Sequence, residues 1–211
     1  MKHRSPLITL AAVAVAFAIM FIVNMLATPP GNSSTGTASP PASPSSTATE
    51  SDDDDDTFPE EVVYAGRAED NAGAVAVAIL GDQAAAYFCD GRNVESWYRG
   101  PVEGTDISLT SKSDATLEAR LDGDHIEGSV QINDNTVKFE IDEAKKPAGL
   151  YRARGSKTTI GWIVLEDGAQ LGVQTTGADS SAAPQLDLES PQVTVDGENL
   201  NATPVSGTED L

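Results

Sequence analysis

The apolar run from Leu7 to Ala27 constrains this chain more than any other stretch of its sequence. The run is 21 residues long and contains no charged side chain. A helix rises 1.5 Å per residue, so a run of this length covers roughly 30 Å, the thickness of a bilayer's hydrocarbon core. The sequence therefore predicts a transmembrane helix over residues 7–27, preceded by a short stub, residues 1–6.

The distribution of basic residues predicts how this helix is oriented. Lys2 and Arg4 precede the apolar run, and the next basic residue is Arg67. Because positive residues stay on the cytoplasmic side, we expect a cytoplasmic stub and an extracytoplasmic remainder, anchored in the cell membrane by a single span. A cleaved secretory signal is the alternative, with cleavage near residues 26–28, although signal cores usually have only about 7–15 apolar residues.

Residues 28–59 read as a linker. Residues 28–51 consist almost entirely of Pro, Ser, Thr, Ala and Gly, a composition that cannot bury apolar surface. Asp52–Asp56 is a bare aspartate run, without the spacing and the turn glycine of calcium loops, and it predicts a solvated, self-repelling segment. We expect a disordered spacer that holds the following domain away from the membrane.

Charge and cysteine content limit the partners. The net charge is −20, yet residues 62–157 carry sixteen acidic and eleven basic residues, so the excess lies outside them. This balance argues against nucleic acid and anionic lipid as ligands, since both require clusters of Lys and Arg, and it is compatible with a basic protein partner. A single cysteine, Cys89, excludes a disulfide within the chain.

From about residue 60 the sequence changes to short apolar-alternating segments separated by turn pairs such as Asp122-Gly123. Val75, Val77 and Ile79 share one face of the first clear segment, and Ile126, Val130 and Ile132 share one face of a later one. Period two with frequent tight turns predicts a mainly β fold, an antiparallel meander over residues 60–174. A sandwich is possible, but a barrel or half-barrel is favoured because closure removes exposed edges.

The pattern changes twice towards the end of the chain. Lys145–Leu150 interrupts the alternation, which resumes strongly at Thr158–Leu165. Residues 175–191 then read as a second linker, and residues 192–206 as a β-hairpin that turns at Asp196–Asn199. We expect residues 207–211 to form a disordered tail.

Candidate catalytic groups are few. His125 is the only histidine beyond His3, so a thiolate dyad would have to pair it with Cys89. Asp122, Asp124, His125 and Glu127 could form a metal site, but the same residues fit a solvated hairpin tip. Cys89 lies in an apolar strand, which favours a buried thiol. The sequence thus predicts no catalytic residue, no metal and no cofactor, and a protein that is not an enzyme.

Two pairs of adjacent aromatic residues provide the candidate binding surface. They are Tyr87 with Phe88, and Trp97 with Tyr98. Neighbours on a strand point to opposite faces of the sheet, so one member of each pair should point out of a closed barrel. Outward aromatic rings need cover from a tail, a loop or a partner.

Several of these residues also carry a resemblance. Tyr87–Gly91, Trp97 with Gly100, and Pro147–Ala153 followed by Gly161–Leu165, together with the anchor and linker, resemble uncharacterised single-pass envelope proteins of actinobacteria. The resemblance covers roughly residues 60–174. It implies a membrane-anchored extracytoplasmic β-domain, and it implies no activity or site residues.

The function expected from this plan is a non-catalytic binding or interaction module of the cell envelope, whose partner is an envelope protein and not nucleic acid. The alternative is a lipocalin-like carrier of a small apolar ligand, since small residues on the strands leave room inside a barrel. A carboxylate-dependent hydrolase is a third hypothesis, without a motif to support it.

Overall fold

Alternating burial along eight consecutive strands produces the main sheet. The structure is a computed structural model that describes residues 57–211, so the predicted stub, membrane span and most of the first linker lie outside the described residues. The eight strands are β1 (Glu61–Arg67), β2 (Ala74–Leu80), β3 (Gln83–Cys89), β4 (Glu95–Glu103), β5 (Asp106–Ser111), β6 (Thr116–Asp122), β7 (His125–Ile132) and β8 (Asn135–Asp142). A short 3-10 turn, Glu69–Asn71, joins β1 to β2. Among these residues, no helix is long and apolar enough to cross a membrane.

The eight strands pair in sequence order, each antiparallel to the next, and the sheet curls until its first and last strands meet. Isolated bridges join Tyr64 to Glu143 and Ala68 to Phe139, and the Ala144 N–H donates to the Val63 carbonyl at 2.7 Å. The prediction of a mainly β, antiparallel meander is confirmed, and the sheet is barrel-like and nearly closed. Phe58 extends the folded part upstream of residue 60, with its ring 6.1 Å from that of Tyr64.

Apolar side chains from all eight strands fill the interior of this sheet. Val75, Val77 and Ile79 point inward with Ile126 and Val130, as the period-two pattern predicts, and each is at most 1 % exposed. Burial of apolar surface on this scale is the main stabilising term of such a fold.

Strands β2 and β3 are buried on both faces. Their outward positions are Ala74, Ala76, Ala78, Ala85, Tyr87 and Cys89, all of which are fully buried. Two-sided burial explains why these strands read as nearly continuous apolar runs instead of clean alternations. Alanine projects little from the sheet, so a second layer can pack closely against it.

That second layer is a separate sheet of five strands. They are β9 (Gly149–Arg154), β10 (Thr158–Val164), β11 (Gln170–Thr176), β12 (Asp179–Ala182) and β15 (Thr203–Pro204). The two intervening strands, β13 and β14, form a separate hairpin that is described below. The order of the five strands in the sheet is β12-β11-β10-β9-β15. Leu150, Ile163 and Val173 of this sheet share one buried cluster with the outward alanines of β2 and β3. The chain changes sheets at residues 145–150, where the sequence alternation breaks.

The segment expected to be a linker, residues 175–191, differs from that expectation. It contains β12, which pairs with β11 after a turn at Gly177. Val173 lies opposite Ala182 at one end of this pairing, and Thr176 lies opposite Asp179 at the other. All four β12 side chains are exposed, so the strand carries no apolar alternation that could have revealed it. Further on, Leu186 is buried and its backbone N–H and carbonyl both bond to the Gln170 side chain.

A hairpin forms the third layer. Its strands are β13 (Gln192–Val195) and β14 (Glu198–Asn201), joined by Asp196 and Gly197, both at positive φ, as a two-residue turn requires. Val193 and Leu200 pack with Trp162 on the far side of the second sheet. The second hairpin strand is shorter than expected, because residues 203–204 leave it to pair with β9.

Residues 206–211, of which 207–211 were expected to be a disordered tail, pack along the seam between the two sheets. Gly207 lies so close to the β2–β3 turn that an added Cβ would be 2.3 Å from the Gln83 carbonyl oxygen. Leu211 is 8 % exposed and belongs to the cluster that contains Leu150 and Val205. We call residues 206–211 the seam segment.

Candidate functional site

Three of the four aromatic residues proposed as a binding surface are buried. Phe88 and Tyr98 point into the barrel, where the Tyr98 hydroxyl donates to the Gln131 carbonyl at 2.6 Å. Tyr87 points outward but is covered by the second sheet, and only Trp97 is partly exposed. The proposed aromatic surface therefore does not form, because a part of the same chain supplies the cover that outward rings need.

Tyr87 and Trp97 form a cross-strand pair beneath this cover. Their ring centroids are 4.2 Å apart, with an interplanar angle of 33°. Gly161 on β10 lies against both rings, since an added Cβ would be 2.6 Å from Tyr87 Cζ and 2.7 Å from Trp97 Cζ2. The missing side chain at residue 161 thus lets the second sheet rest directly on the aromatic pair.

The carboxylate of Glu95 joins the barrel to the second sheet beside this pair. It accepts hydrogen bonds from the Tyr87 hydroxyl at 2.7 Å and from Thr175 Oγ1 on β11 at 2.5 Å. Burial, with the nearby Cys89 and Glu95, raises the pKa of Tyr87 well above its ordinary value. The phenol therefore keeps its proton and remains a donor, and both Glu95 oxygens are engaged.

A groove opens at the outer edge of β4, next to the point where β5 ends. Its volume is about 520 Å³. Three cations line it: Arg99 from β4, Lys112 from the turn after β5 and Arg152 from β9. Hydroxyl groups and apolar surface complete the lining, together with one acidic side chain, that of Glu95, whose two oxygens are already hydrogen-bonded. The hydroxyl groups belong to Ser96, Thr110, Ser111 and Ser113, and the apolar surface to Trp97 and Leu211. We call this feature the basic groove.

Arg152 has the most constrained position in the basic groove. Its guanidinium carbon lies 4.6 Å from the centroid of the Trp97 ring, a cation–π contact. Partial burial, together with the neighbouring Arg154, lowers the pKa of Arg152 to about 10, although Glu209, Glu95 and Asp210 act in the opposite direction. The guanidinium therefore lacks full compensation for its lost hydration, and an added anion would supply it.

Two N–H donors at this contact have no partner. Arg152 Nε and Trp97 Nε1 are both covered from solvent, and neither finds an acceptor among the described residues. Buried donors are nearly always bonded, and an unpaired one costs free energy comparable to a lost hydrogen bond. Both atoms donate and neither accepts, so the group that would complete them is one that carries oxygen acceptors.

The sequence did not reveal this groove, because its cations come from separate elements. Arg99, Lys112 and Arg152 are far apart in the chain, and only the packing of the second sheet on the barrel brings them together. The charge balance along the chain was compatible with a basic partner and gave no indication of a local cluster of cations. The one available signal was the pair Trp97 and Tyr98, of which one member was expected to point outward; the structure shows that it is Trp97.

The polar cluster around His125 is a solvated hairpin tip. His125 Nδ1 lies 3.6 Å from Asp124 Oδ1, and Nε2 lies 3.8 Å from Glu140 Oε1 and 4.0 Å from Asp122 Oδ2. The side chain of Asp124 is fully exposed, so nothing orients it. Within the part of the chain that the structure describes, no group of three or more His, Cys, Asp or Glu residues could hold a metal ion.

Cys89 is placed as a structural thiol. It is fully buried beneath the second sheet, and burial raises the pKa of its thiol to about 12. A thiolate nucleophile requires the opposite shift. His125, the base in the hypothetical dyad, makes its charged contacts at the tip of the β6–β7 hairpin.

Comparison of the chain with protein-family models, with curated proteins and with solved structures finds no match.

Proposed function

We propose that residues 57–211 form a non-catalytic binding module of the cell envelope, and that the basic groove binds an anionic group of its partner. The observation that carries this proposal is the convergence of Arg99, Lys112 and Arg152 on one groove of a chain whose net charge is −20. A cluster of like charges is costly unless a counter-charge compensates it, and binding sites commonly derive specificity from such complementarity.

The chemistry of the groove favours a carboxylate. Guanidinium groups bind carboxylates through paired, charge-assisted hydrogen bonds, and these are stronger than neutral ones. The unpaired N–H groups of Arg152 and Trp97 add two donors beside the same cation. Within residues 57–211, Lys112 forms no salt bridge and is exposed, so it remains available to a ligand.

The packed barrel supports surface binding over carriage of an apolar ligand. Large side chains such as Phe88, Tyr98 and Phe139 occupy the interior, each at most 2 % exposed. The envelope location rests on the predicted span at residues 7–27 and on the resemblance to anchored actinobacterial proteins. The non-catalytic role is supported by the inert setting of Cys89 and the solvated setting of His125.

Calorimetric titration of the full-length chain with an acetylated, amidated hexa-aspartate peptide tests this proposal. We expect binding that weakens as salt is added, because the groove contacts are ionic. Arg152→Gln should weaken binding about tenfold, the equivalent of one charge-assisted hydrogen bond. Lys112→Gln should act in the same direction.

The matched control is Lys138→Gln on β8, which removes the same charge from a cavity that also contains Glu118, Glu127 and Glu140. We expect this variant to bind the peptide as the wild type does. Equal losses in all three variants would show that net charge alone attracts the peptide. Failure of the wild type to bind it would contradict the proposal outright.

A further inference from the structure

The seam segment enters the basic groove from one side and already engages its cations. Arg152 Nη1 donates to the backbone carbonyl of Asp210 at 3.2 Å, and Arg154 Nη2 donates to the same oxygen. The carboxylate of Asp210 lies 3.4 Å from Arg99 Nη1. Asp210 is therefore held by three arginines at or beside the groove, two through its backbone carbonyl and one, Arg99, through its carboxylate.

Two contacts hold this segment in place. Leu211 lines the groove and belongs to the buried cluster that also includes the partly buried Trp97. Gly207 rests against the backbone of the β2–β3 turn. The segment thus presents an acidic residue to the arginines and an aliphatic residue to the apolar wall.

The ionic part of this arrangement is weakly held. The side chain of Asp210 is 94 % exposed and that of Arg99 is 61 % exposed, so water screens their attraction. Meanwhile Lys112, Arg152 Nε and Trp97 Nε1 have no partner inside the described chain. The segment therefore satisfies only part of the groove, and a ligand with more acceptors could replace it.

We propose that the basic groove recognises an extended acidic peptide in which an aliphatic residue follows an acidic one, and that the seam segment is a built-in competitor that this peptide displaces. The inference rests on the proposed function, and it adds both the ligand class and the regulation of the site. The Asp210 and Leu211 contacts define what the ligand must supply. Lys112, which lines the groove, is exposed and forms no salt bridge within the described chain, is the additional cation through which the ligand gains an advantage over the segment.

The test compares the full-length wild type with Leu211→Asp, which removes the apolar anchor of the segment. The probe is an acetylated, amidated peptide with the sequence of residues 206–211, titrated by calorimetry. We expect Leu211→Asp to bind the probe about tenfold more tightly than the wild type, because a tethered competitor lowers apparent affinity. Adding Arg152→Gln should weaken binding about tenfold in both backgrounds.

A second variant provides an independent test in case Leu211→Asp does not fold. Gly207→Ala places a Cβ against the Gln83 carbonyl and should undock the segment without changing the groove. Thermal melting must show that each variant remains folded. A control probe with serine in place of leucine should bind at least about fivefold more weakly, since it lacks the apolar contact.

The outcomes separate the two proposals. Equal, Arg152-dependent affinity in wild type, Leu211→Asp and Gly207→Ala would overturn the competitor role and leave the binding function standing. Equal affinity for the leucine and serine probes would overturn the proposed ligand class. Absence of binding to both the probe and hexa-aspartate, in every folded variant, would overturn the binding function and the further inference together.

Discussion

Gly161 shows how one residue controls the contact between the two sheets. Because it has no Cβ, β10 can approach Tyr87 and Trp97 to within van der Waals distance. The aromatic pair in turn supports Arg152, which stacks on Trp97. A change at residue 161 should therefore affect both stability and the groove.

We expect Gly161→Ala to lower the free energy of unfolding by about 1–3 kcal/mol, the usual cost of overpacking a buried site. Urea denaturation of the full-length chain measures this change. Ser181→Ala, on exposed β12, is the control and should stay within about 0.5 kcal/mol of the wild type. A Gly161→Ala protein as stable as the control would show that the sheets are not tightly packed here.

Cys89 gives a pH-dependent prediction. Burial raises the pKa of its thiol from 9.0 to about 12, so above pH 9 the unfolded chain loses a proton that the folded chain keeps. Folding stability linked to this thiol is present below about pH 9 and declines as the pH rises towards about 12. From about pH 8 to 10 the wild type should lose about 1 kcal/mol more stability than Cys89→Ala. Identical pH profiles for the two proteins would contradict the buried setting.

At the scale of elements, the strands were the most predictable part of the fold. Period-two alternation and turn pairs located β2 to β8, and the inward faces of Val75, Val77 and Ile79 are as predicted. The short polar strand β12 gave no signal, since strands without a buried face show no alternation. The division into two sheets was not predicted. The alternation of apolar residues shows which side chains are buried, but it does not show which part of the chain covers them.

The third layer should open independently of the barrel. Leu200 is 3 % exposed and anchors the hairpin to the second sheet. Leu200→Ala should cost about 2–4 kcal/mol and, since hairpins alone are marginal, should release β13 and β14 locally. Hydrogen exchange followed by mass spectrometry should show faster exchange in residues 192–201 and unchanged protection in β2. Gln192→Ala, at an exposed position of β13, is the control. Equal acceleration in β2 would indicate global destabilisation instead.

At the scale of the whole molecule, a predicted membrane anchor and a predicted spacer precede the folded part of the chain. If residues 7–27 span the membrane with the remainder outside, a protease added to intact cells should cut within residues 28–59 and release the folded domain. A cytoplasmic protein expressed in the same cells should remain uncut. Protection of the domain until the cells are lysed would contradict the proposed orientation.

The basic groove depends on the whole folded part of the chain, since the barrel, the second sheet and the seam segment each provide part of its lining. From the sequence, one of Trp97 and Tyr98 had to point outward, but neither the choice of Trp97 nor the position of Arg152 against its ring could be predicted. Cross-strand neighbours follow from register, whereas contacts between layers depend on how two sheets stack. The charge pattern of the groove therefore became visible only in three dimensions.

The two tryptophans of the chain allow the most direct measurement of the central claim. With ¹⁵N-labelled tryptophan, the full-length chain should give two indole N–H signals, assigned with Trp97→Phe. Trp162 Nε1 donates to the Pro184 carbonyl at 2.8 Å on the far side of the second sheet and serves as an internal reference. Titration with the acidic 206–211 peptide should shift the Trp97 signal and leave that of Trp162 in place. An unmoved Trp97 signal at saturating peptide would contradict binding at the basic groove.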